Sequence, residues 1–282
     1  MKEKIIVFLL KTVARLPLAL LYLLSDFAFF VIYYLVGYRR QLVTKNLTES
    51  FPEKNQKEIE QIGKKYYRFL ADQIIETVKT FHISDKELSR RVKVLNYEGV
   101  NASLENGKNV VLLMSHYGNW EWVQEISRYF IPSAFMASLY QPLADPTWDN
   151  IYKKLRSRWG AHIISSHFAP RVLLNKDNMP WVCGFIADQR PGPKSEKNIM
   201  EFLNHPTYFV YGPEEIGRKV DADYFYLEML RVGRGIYEIR FHRLLPGPTE
   251  ETYPHCREFM REFEKTVRRH PPYWLWSHNR WK

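Results

Sequence analysis

The stretch that decides the fold is Val110-Val111-Leu112-Leu113-Met114-Ser115-His116-Tyr117-Gly118-Asn119-Trp120-Glu121. Its five leading apolar residues predict a short buried strand, the glycine predicts a turn, and a helix is expected to begin near Trp120. His116 then lies where a strand meets a helix, a position at which α/β proteins often carry catalytic groups. Glu121 follows five residues later, and the glycine turn allows both side chains to face one cleft.

His116 in such a cleft is suited to act as a general base. A neighbouring carboxylate fixes the tautomer of an imidazole and stabilises the imidazolium that forms when the base accepts a proton. We therefore predict that His116 is the base and that Glu121 orients it. Since no serine or cysteine stands beside His116 in a Gly-x-Ser-x-Gly arrangement, the nucleophile is expected to be a substrate hydroxyl. The alternative is a loop histidine followed by a glutamate that the helix dipole stabilises.

Length and composition favour one catalytic domain with an N-terminal appendage. The chain has 282 residues and shows no Pro/Gly/Ser-rich linker and no internal repeat. A formal net charge of +10 with 15% aromatic residues indicates an anionic partner, which can be a membrane face, an acidic protein or nucleic acid. Cys183 and Cys256 have neither metal-ligand nor disulfide spacing, which favours a reducing, cytosolic setting and predicts no metal site.

The N-terminal region contains an apolar segment from Leu16 to Val36, in which Asp26 is the one charged residue. Its length is close to the ~20 residues that cross a bilayer. Basic residues flank both ends, so the positive-inside rule does not fix its orientation. We predict an anchor that either spans the membrane or lies in its interface. A signal peptide and a buried core helix are the alternatives.

Hydrophobic periodicity beyond the anchor predicts an α/β domain with a mostly parallel or mixed central sheet flanked by helices. Helices are expected at residues 57–80, 100–105, 120–130, 147–159 and 251–270, and strands at 92–95, 110–114, 135–139, 163–164, 180–186, 223–230 and 236–244. The chain is thus divided into an anchor at residues 1–40 and a catalytic domain at residues 41–282.

Several strings of the sequence resemble one family. The run from His116 to Glu121 is similar to the His-x4-Asp/Glu signature of glycerolipid-type acyltransferases, and its form His-Tyr-Gly-Asn-Trp-Glu resembles the late acyltransferases that add secondary lauroyl or myristoyl chains to lipid A. The last residues, Tyr273 to Lys282, resemble that family's Gln-Tyr-x-Trp-x-His-x-Arg-Trp-Lys ending. The similarity extends from the anchor through Asn46-Leu47 and Phe51-Pro52 to the end of the chain. Gln141 replaces the arginine of a Tyr-Arg-Pro-like turn, and Asn204 stands where a glycine is usual.

The resemblance implies a reaction and its partners. An acyl chain would move from an acyl carrier protein thioester to a hydroxyl of a phosphorylated lipid A precursor. The expected location is the bacterial inner membrane, with the catalytic domain facing the cytoplasm. The carrier protein, the phosphorylated lipid and the membrane surface are all acidic, which agrees with the net charge. This chemistry requires no cofactor, and no sequence motif points to nucleic acid.

The resemblance also adds candidate site residues. Arg156 matches an arginine of the family, and Arg156 and Arg158 are predicted to bind a phosphate or a sugar-acid carboxylate, although a solvated helix face beside Lys153 and Lys154 is the alternative. Asp188 and Gln189, at a strand end, are predicted to orient the acceptor sugar or hold the site together, unless Asp188 only caps its own turn.

The remaining candidates follow from the reaction itself. A backbone N–H near Gly118 or Asn119 is predicted to donate to the developing oxyanion. The aromatic residues of the C-terminal string are expected to be core, with His278 and Arg280 as possible anion contacts. The sequence leaves open the acyl length, the hydroxyl that is acylated, the use of coenzyme A as donor and the oligomeric state. Another acceptor lipid (a lysophospholipid, glycolipid or aminolipid), or a silent lipid-binding protein on this scaffold, is also possible.

Overall fold

The computed structural model describes residues 2–175, 179–193, 196–248 and 251–281. In these ranges the helices are α1 (Lys2–Ala14), α2 (Leu18–Phe30), α3 (Arg40–Ser50), α4 (Gln56–Lys79), α5 (Asp85–Arg91), α6 (Glu98–Glu105), α7 (Pro146–Arg156), α8 (Ala169–Leu173), α9 (Gly212–Lys219) and α10 (Pro254–Arg269). The strands are β1 (Val92–Leu95), β2 (Val110–Met114), β3 (Phe135–Tyr140), β4 (His162–Ser165), β5 (Trp181–Ile186), β6 (Ile199–Phe202), β7 (His205–Tyr208), β8 (Asp223–Gly233) and β9 (Ile236–Arg243).

Seven strands form one central sheet in the order β1-β9-β8-β2-β5-β3-β4. Neighbouring strands are parallel except β8 and β9, which form an antiparallel pair. All five residues of β2 are buried, as expected for a central strand that is covered on both faces. The predicted α/β fold with a mostly parallel sheet flanked by helices is confirmed.

The register between β2 and β5 positions the site. Met114 at the end of β2 pairs with Ile186 at the end of β5, and the Ala187 N–H donates to the Met114 carbonyl at 2.9 Å. Because the two strands are parallel, their carboxyl ends meet at the same edge of the sheet. His116 and Asp188, each two residues beyond this pair, are therefore brought side by side.

Two apolar layers cover the sheet. One layer packs α4, α10 and the C-terminal aromatic residues against it, and includes the buried Trp274 and Trp276. The other packs the residues around Trp122 and α6 against the opposite face. The prediction that the C-terminal aromatic residues are core is confirmed for Trp274 and Trp276, which are 3% and 1% exposed.

Several local features differ from the sequence prediction. The predicted helix at residues 120–130 is a 3-10 helix at Trp122–Arg128, and the predicted helix at residues 147–159 ends at Arg156. The short hairpin of β6 and β7 was not predicted. Its turn places Leu203 and Asn204 at φ 51° and 63°. Asparagine tolerates this left-handed conformation better than most residues, which explains how it can stand where the family has a glycine.

The N-terminal apolar segment begins its helix at Leu18, after Pro17, and continues beyond α2 as a π-helical turn at Val31–Val36. Leu18–Val36 is long and apolar enough to cross a membrane. The core helix of a soluble protein and a signal sequence can have the same length and composition. This stretch is therefore a candidate anchor.

Polar contacts join α2 to the rest of the protein. Ser25 donates to Asp72 at 2.7 Å, and Tyr22 donates to Glu76 at 2.8 Å. Asp26 forms an ion pair with Arg234 at 2.7 Å, which neutralises the one charge of the apolar segment. The apolar segment also exposes large apolar residues such as Leu23, Phe27 and Leu35. The division of the chain at residue 40 remains a prediction.

Candidate active site

His116 lies at the carboxyl edge of the sheet, just beyond β2. Its Nδ1 is 2.8 Å from Oδ1 of Asp188, and its side chain is 20% exposed. The Trp120 ring meets the imidazole edge-on, with ring centroids 5.3 Å apart. The imidazole is therefore fixed by a carboxylate and an aromatic ring while it keeps partial access to solvent.

Asp188 is a buried carboxylate with two partners. Its Oδ1 faces His116, and its Oδ2 accepts a hydrogen bond from the indole Nε1 of Trp274 at 2.8 Å. Burial alone would raise the pKa of Asp188, but the charge and hydrogen bond of His116, together with the Trp274 indole, lower it below its ordinary value. An ionised carboxylate only accepts hydrogen bonds, so it holds the proton on Nδ1 of His116 and leaves the Nε2 lone pair available.

Glu121, which the sequence predicted to orient His116, binds Arg156. Its Oε2 accepts from Nε of Arg156 at 2.9 Å, and its Oε1 accepts from Nη2 at 2.5 Å. Burial alone would lower the pKa of Arg156, but the hydrogen bonds and charge of Glu121 raise it above its ordinary value, so the guanidinium stays protonated. The predicted convergence of His116 and Glu121 was based on their separation along the chain. The register of the parallel strands brings Asp188 to His116 instead.

The guanidinium of Arg156 is thus committed to an internal partner, in contrast to the predicted free phosphate ligand. A bidentate arginine–carboxylate pair uses the same fork geometry that would bind a phosphate. Arg158 is also engaged. It donates to the carbonyls of Thr80 and Ile83 at 2.7 and 2.6 Å, beyond the end of α4, where backbone carbonyls lack helical partners. A direct contact of either arginine with substrate remains a prediction.

The structure explains why the turn after His116 contains a glycine and an asparagine. Gly118 has φ +63°, and a Cβ there would lie 2.7 Å from the Met229 carbonyl oxygen. The buried Asn119 side chain donates to Glu76 at 2.7 Å and accepts from the Trp122 N–H at 3.1 Å. These contacts tie the turn to α4 and start the 3-10 helix.

Among the residues that the structure describes, the hydrogen bonds of this turn leave one of the two predicted oxyanion donors without a backbone partner. The Gly118 N–H donates to the Tyr273 carbonyl at 3.0 Å, so it is already used. Of the two predicted backbone donors, the Asn119 N–H remains the candidate. Gln189 is half-buried beside Asp188 at the strand end, and its predicted contact with the acceptor stays a prediction.

A mainly apolar cleft of about 460 Å³ adjoins Trp120, and we call it the acyl cleft after the role that we propose for it. Trp120, which contacts the His116 ring, lines this cleft together with Glu121, Gln141 and Arg156. Its other walls are mainly apolar and come from α1, α4 and α7, including Leu10, Leu70, Ile74, Val78, Phe81, Trp148 and Ile151. This shape and lining suit a linear hydrocarbon chain.

Sequence reasoning missed two features of the site. It assigned Trp274 to the core only, although its indole also holds Asp188. It did not foresee that α1 contributes Leu10 to the acyl cleft. The sequence indication for the role of Trp274 was the combination of tryptophan with polar residues in the C-terminal string. Nothing in the α1 sequence indicated the second.

The site has the parts of a proton-transfer centre that serves an apolar substrate, namely an imidazole oriented by a buried carboxylate, next to an apolar cleft. An oriented imidazole beside an apolar cleft is an arrangement that α/β enzymes use for acid–base chemistry. The sequence model of the family described as bacterial lipid A biosynthesis acyltransferase matches residues 3–282. The chain therefore belongs to this family of acyltransferases. A comparison with curated proteins found no match.

Proposed function

We propose that the protein transfers a fatty acyl chain from an acyl carrier protein thioester to a hydroxyl of a lipid A precursor, with His116 as the general base. The observation that supports this most is the His116–Asp188 pair beside the acyl cleft. Membership of the acyltransferase family supplies the reaction class, and the site supplies a base and a place for the chain. The carrier protein and the particular acceptor come from the sequence resemblance.

The proposed first step uses His116 Nε2. Since Asp188 holds the Nδ1 proton, Nε2 accepts the proton of the acceptor hydroxyl, and the hydroxyl oxygen attacks the thioester carbonyl carbon. The resulting tetrahedral oxyanion accepts a hydrogen bond from a backbone donor, for which the Asn119 N–H is our candidate. Collapse breaks the C–S bond, and the imidazolium returns its proton to the departing thiolate. The products are an ester and a free thiol.

Glu121 and Arg156 are proposed to shape the entrance of the acyl cleft. Their bidentate ion pair joins the turn after β2 to α7, and both side chains line the cleft. The pair would fix Trp120 against His116 on one side and the acyl chain on the other. In this proposal Glu121 acts as a positioning residue, and Asp188 takes the orienting role that was predicted for Glu121.

The proposed location is the cytoplasmic face of the bacterial inner membrane. The candidate anchor at Leu18–Val36 and the exposed apolar residues of α1, among them Phe8 and Leu9, provide a surface for lipid. The net charge of +10 favours a surface of anionic lipids. The acceptor can reach the site from the membrane without leaving it.

The deciding experiment is mass spectrometry of a reaction with purified full-length protein in detergent. It contains tetra-acylated lipid A precursor bearing its inner-core sugar acids, with a panel of acyl carrier protein thioesters in one arm and acyl-coenzyme A in another. We expect a mass gain of one acyl chain with carrier protein donors. His116→Ala should reduce the rate by more than ~100-fold, while His167→Ala, which alters an exposed turn histidine, should not.

Three outcomes would contradict parts of the proposal. Transfer by His116→Ala near the wild-type rate would remove His116 from the mechanism. Preference for a lysophospholipid over the precursor in a competition assay would replace the acceptor. Folded protein that transfers no chain to any acceptor would favour a lipid-binding role.

A further inference from the structure

A second cleft opens near the site, on a different set of residues. It has a volume of about 780 Å³ and is lined by Arg39, Arg190 and His278, together with Leu42, Pro191, Pro193, Glu196 and Asn279. We call it the basic cleft. Arg39 comes from the segment between the candidate anchor and α3, Arg190 follows β5, and His278 belongs to the C-terminal string. Two arginines from distant parts of the chain thus face one concave surface.

Both arginines are held in place and still have donors to spare. Arg39 donates through Nη1 to the Ser277 carbonyl at 2.8 Å, and its backbone adopts φ +51°, which is uncommon for a residue other than glycine. Arg190 donates through Nε to Glu196 at 2.6 Å. Because a guanidinium carries five N–H donors, each arginine retains several for a ligand.

His278 adds a polar atom without an internal partner. Its Nε2 is buried and, within the described part of the chain, has no hydrogen-bond partner. Burial lowers the pKa of His278. A buried polar atom that lacks a partner is uncommon in proteins. The charged donors for a phosphate in this cleft are the two arginines, whose guanidinium groups are the donors that proteins often use for phosphate.

A third, mainly apolar cleft of about 460 Å³ lies between the basic cleft and the acyl cleft and shares wall residues with both. This middle cleft shares Arg39 and His278 with the basic cleft, and it shares Leu70, Ile74 and Leu275 with the acyl cleft. Its remaining apolar wall includes Ile32 and Val36 of the candidate anchor helix. A basic surface therefore leads along an apolar path to the site of the proposed chemistry.

We propose that the basic cleft binds a phosphate group of the acceptor lipid, so that one of its acyl chains lies along the middle cleft and presents its hydroxyl to His116. This inference rests on the proposed function. The phosphate could instead belong to the phosphopantetheine of the donor. The observations favour the acceptor, because the path from the basic cleft is walled by the candidate anchor helix, and a phosphorylated lipid carries both an anionic group and apolar chains.

The test compares two acceptors that differ only in phosphate, namely the diphosphorylated precursor and the same lipid after phosphatase treatment. Arg39→Gln and Arg190→Gln remove one charge each while keeping a hydrogen-bond donor. Arg90→Gln, on the exposed side of α5, which packs against β1, is the matched control. Initial rates give KM and kcat for each acceptor, and equilibrium binding of each lipid in micelles is measured on the same proteins without donor.

We expect each cleft variant to raise KM for the phosphorylated acceptor by about 10- to 100-fold, the range of a lost charge-assisted hydrogen bond. We expect kcat, the donor KM and the KM for the dephosphorylated acceptor to change less than about threefold. Binding of the phosphorylated lipid should weaken in parallel, and Arg90→Gln should match wild type. Arg190→Lys should restore part of the affinity, which a variant that merely misfolds would not do.

Equal KM increases for both acceptors, or no increase for either, would overturn the phosphate site. An increase in donor KM alone would assign the cleft to the donor and also overturn it. If wild type transferred no chain to either acceptor yet bound phosphorylated lipid through Arg39 and Arg190, the proposed function would fail and the phosphate site would stand. If wild type transferred a chain but lipid binding did not depend on either arginine, the phosphate site would fail and the proposed function would stand.

Discussion

Replacing Asp188 by asparagine tests whether this carboxylate sets the tautomer of His116. In wild type, Oδ2 of Asp188 accepts from the Trp274 indole at 2.8 Å and Oδ1 faces His116 Nδ1 at 2.8 Å. The indole Nε1 is only a donor, so in Asp188→Asn it requires the oxygen of the new amide. The amide NH2 then faces Nδ1, which must present its lone pair. The proton moves to Nε2, and the base is blocked.

The expected loss has two physical sources. The wrong tautomer removes the lone pair that accepts the substrate proton. The missing charge also withdraws support from the imidazolium, and at an effective dielectric constant of 20 two unit charges about 4 Å apart interact by about 4 kcal/mol. That energy alone corresponds to about a thousandfold in rate. We therefore expect Asp188→Asn to lower kcat by about 10³- to 10⁴-fold with little change in KM.

The assay is transfer to the precursor at saturating donor, and a second substitution isolates the tautomer. Trp274→Phe removes the indole donor that orients the amide, so in Asp188→Asn/Trp274→Phe the amide can turn its oxygen to Nδ1. We expect this double variant to recover about tenfold of the lost kcat. A single variant within about tenfold of wild type would refute the role of Asp188. A double variant no faster than Asp188→Asn would refute the tautomer argument.

The same substitution has a predictable effect on stability against pH. The pKa of Asp188 is lowered in the folded protein, so its ionisation stabilises the fold above the unfolded pKa of about 3.9, and this contribution is lost as pH falls through the folded value. The difference in unfolding free energy between wild type and Asp188→Asn should be largest near neutral pH and shrink on acidification. A constant difference in denaturant titrations across that range would contradict the lowered pKa.

Four further substitutions probe the turn, the ion pair and the acyl cleft. Gly118→Ala should destabilise the protein by about 2–4 kcal/mol, because alanine is strained at φ +63° and its Cβ would meet the Met229 carbonyl, and denaturation at the wild-type midpoint would contradict this. Glu121→Gln and Arg156→Gln should each lower Tm by leaving one partner charged and unpaired, while the double variant should melt above the less stable single variant. If the double variant instead melted lowest, the pair would contribute by other means. Leu10→Trp should shift product chains toward shorter lengths in a competition among donors, because Leu10 lines the acyl cleft, and an unchanged product distribution would show that the chain does not reach α1.

The fold was predictable from the sequence because it depends on local patterns. The bounds of β2 were predicted as observed, and those of the central-sheet strands after residue 130 lie within three residues of the predicted ones, whereas the β6–β7 hairpin was missed. His116 and Asp188 were found as candidates because each follows the end of a predicted strand, where α/β proteins place functional groups, and because each matches the resembled family. Their contact with one another was not predicted.

The pairing of charged groups was not predictable in the same way. Glu121 was matched to His116 because it is near in sequence, yet its partner lies on α7, 35 residues away. His116 and Asp188 are 72 residues apart, and Asp188 and Trp274 are 86 apart. Which carboxylate meets which cation depends on the register of the sheet and on how α7 returns to the site. Neither property is contained in spacing or composition.

In the proposed mechanism, the His116–Asp188 hydrogen bond and the Glu121–Arg156 ion pair separate two tasks that a single histidine–glutamate pair would combine. A base must change its charge during the reaction, and it needs a carboxylate whose own charge stays fixed. Asp188 meets this need because it is buried and bound by an indole. Glu121 is paired with Arg156, so in the proposed mechanism it adds little negative field at the oxyanion. An unpaired glutamate at that place would oppose the oxyanion, and the arginine removes this conflict while it closes the wall of the acyl cleft.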